Sequence, residues 1–175
     1  IRIPSFSREE NDVADYLFSQ WTKAGHKVNR AGNNLWIVAP GFELRKQTIL
    51  LNSHIDTVKP VAGWSKDPFA ADAGEDDRLY GLGSNDAGAS VVSLYEAFTI
   101  LSKKSQPSNL IFLASCEEEV SGKNGLELAL AELPPIHFAV VGEPTEMQPA
   151  VAEKGLMVLD CIALGKAGHA ARNEG

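Results

Sequence analysis

The chain is 175 residues long with 44% hydrophobic and 22% charged residues, the mix of a globular protein with its own core, which excludes disorder and collagen-like repeats. Sixteen Lys and Arg against 23 Asp and Glu give a formal net charge of -7 with no basic cluster. A nucleic-acid partner is therefore disfavoured, because phosphate binding needs a concentrated positive face, whereas gathered carboxylates suit cations.

Ile1-Arg2-Ile3-Pro4, with no Met, reads as the interior of a longer chain and leaves an upstream targeting segment open. Ser7 and Glu10 have the spacing of a capping box, and Val13, Ala14, Leu17, Phe18 and Trp21 then recur at helical spacing as far as Gly25. Val28 and the run 35–38 flank Gly32-Asn33-Asn34, predicting two short strands around a turn. The apolar run 48–54 predicts a buried strand that delivers His54 to a cleft, and the Gly-, Pro- and Asp-rich stretch 56–85 is long enough to be functional. A helix is predicted over 87–101, a buried strand over 110–114 leading into Cys116-Glu117-Glu118-Glu119, and a helix over 123–132. A third buried strand, 137–141, ends at Gly142-Glu143-Pro144. This alternation predicts an α/β domain with a mainly parallel central sheet and helices on both faces. After residue 150 the pattern changes: 156–164 reads as a longer strand of a second α+β domain, followed by a loop bearing His169.

Two cysteines, Cys116 and Cys161, cannot build a disulfide scaffold and read as reduced thiols of a cytoplasmic protein; no segment approaches the ~18 apolar residues of a membrane span.

The chemistry lies where the strands finish. His54-x-Asp56, Asp86 before a helix, Glu117-Glu118-Glu119 and Glu143 close consecutive elements, and ligands of open α/β sheets bind outside the carboxyl ends of strands. Each has an ordinary reading alone: His54 a core histidine, Asp86 a helix N-cap, the glutamates a solvated turn, Glu143 a loop residue. Four such ends converging without a compensating Lys or Arg point instead to a divalent metal. In His54-x-Asp56 the carboxylate is placed to fix the imidazole tautomer.

These residues also carry a resemblance. The run 50–58, Trp64 with Asp67-Pro68-Phe69, and Leu79-Tyr80-Gly81-Leu82-Gly83-Ser84-Asn85-Asp86 resemble the M20 family of metallopeptidases and amidohydrolases. Glu118-Glu119 with Gly125, Gly142-Glu143-Pro144-Thr145, Lys154-Gly155 and Gly165-x-x-Gly168-His169 continue it in order over nearly the whole chain. Within the family the likeness is greatest to the acetylornithine deacetylase and succinyl-diaminopimelate desuccinylase branch. The resemblance implies a catalytic domain over 1–150 and the start of a lid or dimerisation domain over 151–175, the rest of both lying beyond residue 175 with the family's last zinc-binding His.

It further implies two zinc ions, replaceable by cobalt: His54 and Glu143 on one, Glu119 on the other, Asp86 bridging. Asp56 would position His54, Glu118 would act as general base, and His169 would donate to the oxyanion from a partner subunit. With three glutamates in a row the register is chosen by the spacing from Glu119 to Gly125. Leu82, where the family commonly has Arg, and Ala87-Gly88, in place of Met-Lys, depart from the pattern beside the ligands. The implied activity is hydrolysis of an N-acyl amino acid of acetylornithine or acylcitrulline type, in arginine biosynthesis, by a homodimer joined through the lid. A di- or tripeptidase, a succinyl-diaminopimelate desuccinylase and a non-catalytic metal-binding paralogue are the alternatives. A flavodoxin-like nucleotide binder lacks its Gly-rich phosphate loop.

Overall fold

A computed structural model of the protein describes residues 1–75, 77–152, 154, 155, 157, 159, 161 and 162. The chain divides into two compact units, 1–144 and 145–175. In the first, helix α1 (Asn11–Lys23) precedes an antiparallel hairpin of β1 (Val28–Ala31) and β2 (Asn34–Val38). Strand β3 (Thr48–His54), a small ribbon of β4 (Asp72–Ala73) and β5 (Leu79–Tyr80), and helix α2 (Ser90–Leu101) follow. Strand β6 (Asn109–Ser115), the short helix α3 (Leu126–Leu130) and strand β7 (Phe138–Val141) complete the unit.

The main sheet has the order β1-β2-β6-β3-β7. Strand β3 lies at its functional centre, parallel to β6 on one side and β7 on the other, while the β1–β2 hairpin extends the sheet antiparallel beyond β6. The sheet is thus mixed, its parallel part being the three strands that end in the candidate residues. Strand alternation divides the core between the two faces. Leu35, Ile37, Leu51, Phe112 and Ala114 pack against α1 and α2, where Trp21 stacks on Tyr95 with ring centroids 5.2 Å apart. Trp36, Leu50, Ile111 and Leu113 face Ala129 of α3. Helices therefore cover both faces, as expected.

Four local expectations are corrected. Ser7 and Glu10 form no capping box: Arg8 has a left-handed backbone (φ 74°), α1 starts only after Glu10, and no side chain caps it. The helix expected over 87–101 starts at Ser90, because Asp86 and Ala87 have non-helical backbone angles. The helix expected over 123–132 is confined to 126–130; the preceding residues turn around Glu117. Strand β7 is not buried. It is the last strand of the sheet, and Phe138 is 62% exposed, since an apolar run reads alike at an edge and at a centre.

In the second unit the described residues form a turn at 145–148 and no helix or strand. The strand expected over 156–164 falls largely outside the described residues, and His169 lies outside them entirely. Among the described residues no helix is long and apolar enough to cross a membrane.

Candidate metal centre

Parallel pairing places the carboxyl ends of the three strands side by side: His54 is in register with Ser115, and Asn52 with Val141. Each strand is then prolonged into the site by a specific contact. Ile55 N–H donates to the Ser115 carbonyl at 2.8 Å, carrying β3 onward to Asp56. Gly142 N–H donates to Asn52 O, and Ser53 Oγ donates to Gly142 O, both at 2.8 Å, which brings Glu143 alongside β3. A Cβ on Gly142 would come within 2.8 Å of Ser90 Cβ, so only glycine lets this segment pass α2 so closely. Gly83, at φ 72° and with Thr57 where its Cβ would be, turns the long loop back toward Asp86.

The imidazole of His54 is 1% exposed and sits at the centre. Its Nδ1 lies 2.9 Å from the backbone carbonyl of Asp56, which can only accept, so Nδ1 carries a proton and Nε2 faces the carboxylates. Nε2 is 3.0 Å from Asp86 Oδ1, 3.7 Å from Glu143 Oε2 and 3.9 Å from Glu118 Oε2. His54, Asp86 and Glu119 each offer one ligand atom, all within 4.8 Å of one another. The Asp56 carboxylate stands 3.5 Å from Nδ1, so the backbone carbonyl, not the carboxylate, makes the closer contact that fixes the tautomer.

Asp56 is fully buried, and its carboxylate has a further task. Its Oδ1 accepts from Glu118 N–H at 3.0 Å, and its Oδ2 accepts from Glu119 N–H at 3.2 Å and Ser7 Oγ at 2.7 Å. Ser7, read in the sequence as a cap, is thus a partner of the site. Glu10 and Asn34 were likewise missed: Glu10 accepts from Glu117 N–H and Asn34 Oδ1 from Cys116 N–H. No local pattern could have found them, because their partners lie 107 and 82 residues away.

The electrostatics follow from this crowding. Burial alone would lower the His54 pKa, but the neighbouring Asp56 carboxylate, with the charges of Glu143 and Glu118, outweighs it and raises the pKa to about 9. Burial raises Glu119, and the nearby Asp86 charge raises it further. Burial also raises Glu143, reinforced by Glu118 and Asp86 against the opposing pull of His54. Burial would raise Asp56 too, yet the adjacent His54 imidazole and hydrogen bonds from Ser7 and the 118 and 119 amides hold it below the ordinary carboxyl range. Among the described residues, the ion pairs of Asp86, Glu118 and Glu143 are with His54 and with no Lys or Arg.

An imidazole nitrogen beside several carboxylate oxygens that no Lys or Arg among the described residues pairs with is a donor set suited to a divalent metal such as zinc. Residues 50–156 match the model of peptidase family M20/M25/M40. Among curated relatives, a probable carboxypeptidase of Aspergillus flavus is 28% identical over 97% of this chain and 44% of its own length. An acetylornithine deacetylase of Aliivibrio fischeri is 32% identical over 69% of this chain and 32% of its own length. A metallo-carboxypeptidase of Sulfolobus solfataricus shares the fold with a TM-score of 0.62 at 23% identity, over 81% of this chain and 35% of that structure. The chain spans less than half the length of these curated relatives.

Proposed function

The chain belongs to peptidase family M20/M25/M40, and from that premise we propose that it contributes the metal-binding site of a hydrolase that cleaves the amide bond of an N-acyl amino acid. The observation that carries this reading is the convergence of Asp86, from the segment before α2, with His54, Glu118, Glu119 and Glu143, beyond the ends of three parallel strands; among the described residues, Asp86, Glu118 and Glu143 form ion pairs with His54 and with no Lys or Arg.

His54 and Glu143 would hold one zinc ion and Glu119 a second, with Asp86 shared; cobalt would serve in place of zinc. When bound, such ions supply Lewis acidity toward an amide carbonyl and lower the pKa of water. Glu118 is suited to be the base: its carboxylate is 52% exposed, close to His54, and outside the tightest ligand group. It takes the proton of the attacking water and returns it to the leaving amine. Asp56 holds the Glu118 and Glu119 backbone and orients His54. His169, from a partner subunit of a homodimer, would donate to the oxyanion. A cytoplasmic location and a role in arginine biosynthesis complete the reading.

A second reading, cleavage of a free peptide, is favoured by the match to a carboxypeptidase over 97% of the chain. A purely metal-binding paralogue is disfavoured, because it would have no use for an unliganded Glu118. The test uses protein expressed from its full reading frame and purified without chelator. We expect bound zinc, loss of activity on chelation, rescue by zinc or cobalt, and faster turnover of N-acetylornithine and N-acetylcitrulline than of di- and tripeptides. Absence of tight metal and of metal rescue refutes the hydrolase reading; preference for peptides selects the second one.

A further inference from the structure

Four consecutive backbone N–H groups, from Cys116 to Glu119, each donate to a buried side chain reached from elsewhere in the chain. Cys116 N–H donates to Asn34 Oδ1 at 3.1 Å and Glu117 N–H to Glu10 Oε1 at 3.2 Å. The amides of Glu118 and Glu119 share the two oxygens of Asp56. Such an arrangement is needed because these amides lie between the end of β6 and the first residues of a short 3-10 turn (Glu118–Val120), where no backbone ladder takes them, and because Glu117 has a left-handed backbone at φ 54°, which is uncommon for a non-glycine residue.

Glu10 is the least expected member. It is fully buried, immediately before α1, and both of its oxygens are used. Besides Glu117 N–H, Oε1 accepts from Arg8 N–H at 2.7 Å, and Oε2 accepts from Asn33 Nδ2 at 3.1 Å. A buried carboxylate is tolerated only when its lone pairs are occupied, and here every partner named is an N–H donor. One side chain therefore ties the start of α1, the β1–β2 turn and the glutamate turn into one unit.

We infer that Glu10 is a positioning residue for Glu118 and Glu119. By accepting the Glu117 N–H it holds the left-handed residue from which the next two glutamates are aimed into the cluster. The catalytic part of this inference rests on the roles proposed above for those two residues. Reach, rather than charge, is what the position demands. Asp at this site falls short by one C–C bond, about 1.5 Å. Gln keeps an oxygen for the Arg8 and Glu117 amides, and the Asn33 amide can turn its own oxygen toward the new NH₂ by giving up the exposed bond it accepts from Arg30, which water can replace.

The test compares Glu10→Asp and Glu10→Gln with wild type, all expressed from the full reading frame. Three readouts are taken: amide hydrogen exchange at 116–119 in the metal-free protein, the visible spectrum of the cobalt-loaded protein, and kcat and KM per bound metal. Glu10→Asp is expected to exchange at least about tenfold faster at 117–119, shift the cobalt band, and lose about 10–100-fold in kcat with KM changed less than about threefold, the scale set by residues that orient metal ligands. Glu10→Gln is expected to stay within about threefold of wild type throughout.

A merely structural role would lower the melting temperature of Glu10→Asp and leave the cobalt band and kcat per bound metal unchanged; that result overturns the inference. Equal losses in both variants overturn it as well, since charge would then be what matters. If Glu10→Asp does not fold, the wild-type amide of Glu117 decides: exchange as slow as core-strand amides supports the inference, and exchange at an unprotected rate overturns it. A wild-type protein without metal or activity would sink the proposed function, and the exchange comparison would still settle the part played by Glu10.

Discussion

Asp56→Asn is the sharpest perturbation of the site that keeps its shape. The carboxylate receives three hydrogen bonds, from Ser7 Oγ and the amides of Glu118 and Glu119, and is fully buried. An amide can turn two ways, and both fail. With NH₂ in place of Oδ1, it faces the Glu118 N–H; in place of Oδ2, it faces the Glu119 N–H, although the Ser7 hydroxyl can rotate to accept. Either way one buried backbone donor loses its partner, which costs about 1–3 kcal/mol, and the remaining bonds lose the extra strength of a charged acceptor. We expect about 2–4 kcal/mol lost in urea unfolding, with an unchanged dependence on denaturant, since the fold itself is retained. Activity should fall about 10–100-fold through looser Glu118 and Glu119. Stability within about 0.5 kcal/mol of wild type, a change typical of an uninvolved surface position, would refute the claim that this carboxylate holds the turn.

Three further outcomes are expected. Glu118→Gln should keep near-normal metal content and lose about 10²–10⁴ in kcat, the worth of general-base catalysis, whereas Glu119→Gln should lower metal occupancy as well; metal analysis beside the rates separates them. In the metal-free protein, the His54 pKa is raised from 6.5 to about 9; its charge therefore stabilises the fold fully below pH 6.5, and that contribution disappears as pH rises through about 9. Melting curves in chelator should accordingly show a fall between pH 6.5 and 9 that His54→Asn lacks. Gly125→Ala puts a Cβ 2.4 Å from the backbone oxygen of Cys116, a contact no rotamer can relieve, so about 1–3 kcal/mol should be lost on thermal or urea unfolding.

The parts of the molecule that were legible in the sequence are those decided locally. His54, Glu119 and Glu143 stand at or just beyond the ends of apolar runs and Asp86 closes a Gly-rich loop before a helix, signals that mean much the same wherever they occur. The sheet faces follow from strict alternation, so that Ile111 and Leu113 on one side and Phe112 on the other could be read directly. What could not be read depends on partners far along the chain. Ser7-x-x-Glu10 satisfies the cap pattern, but Asp56, 49 residues on, takes the Ser7 hydroxyl, and the turn at Glu117 takes Glu10. The exposure of β7 depends on its place at the edge of the sheet, which four apolar residues do not encode.

The three consecutive glutamates show where composition stops and geometry takes over. They are chemically identical, yet the left-handed backbone of Glu117 sends its carboxylate away from the cluster, where Asn124 Nδ2 donates to it at 2.9 Å. Gly122 leaves the room: a Cβ there would lie 1.9 Å from Glu117 Oε2. Gly125 lets the following segment pass against the Cys116 carbonyl before α3 begins. The spacing from the glutamates to Gly125 is thus a packing requirement of the turn. With Glu117 committed to holding the loop, only Glu118 and Glu119 are left to face His54. Their amides share the two oxygens of Asp56, while their side chains meet different surroundings: that of Glu119 has an oxygen within 4.8 Å of ligand atoms of His54 and Asp86, and that of Glu118 stands half in solvent. One buried carboxylate on the backbone, and one left-handed residue before it that Glu10 holds in place, thus give three identical side chains three different surroundings.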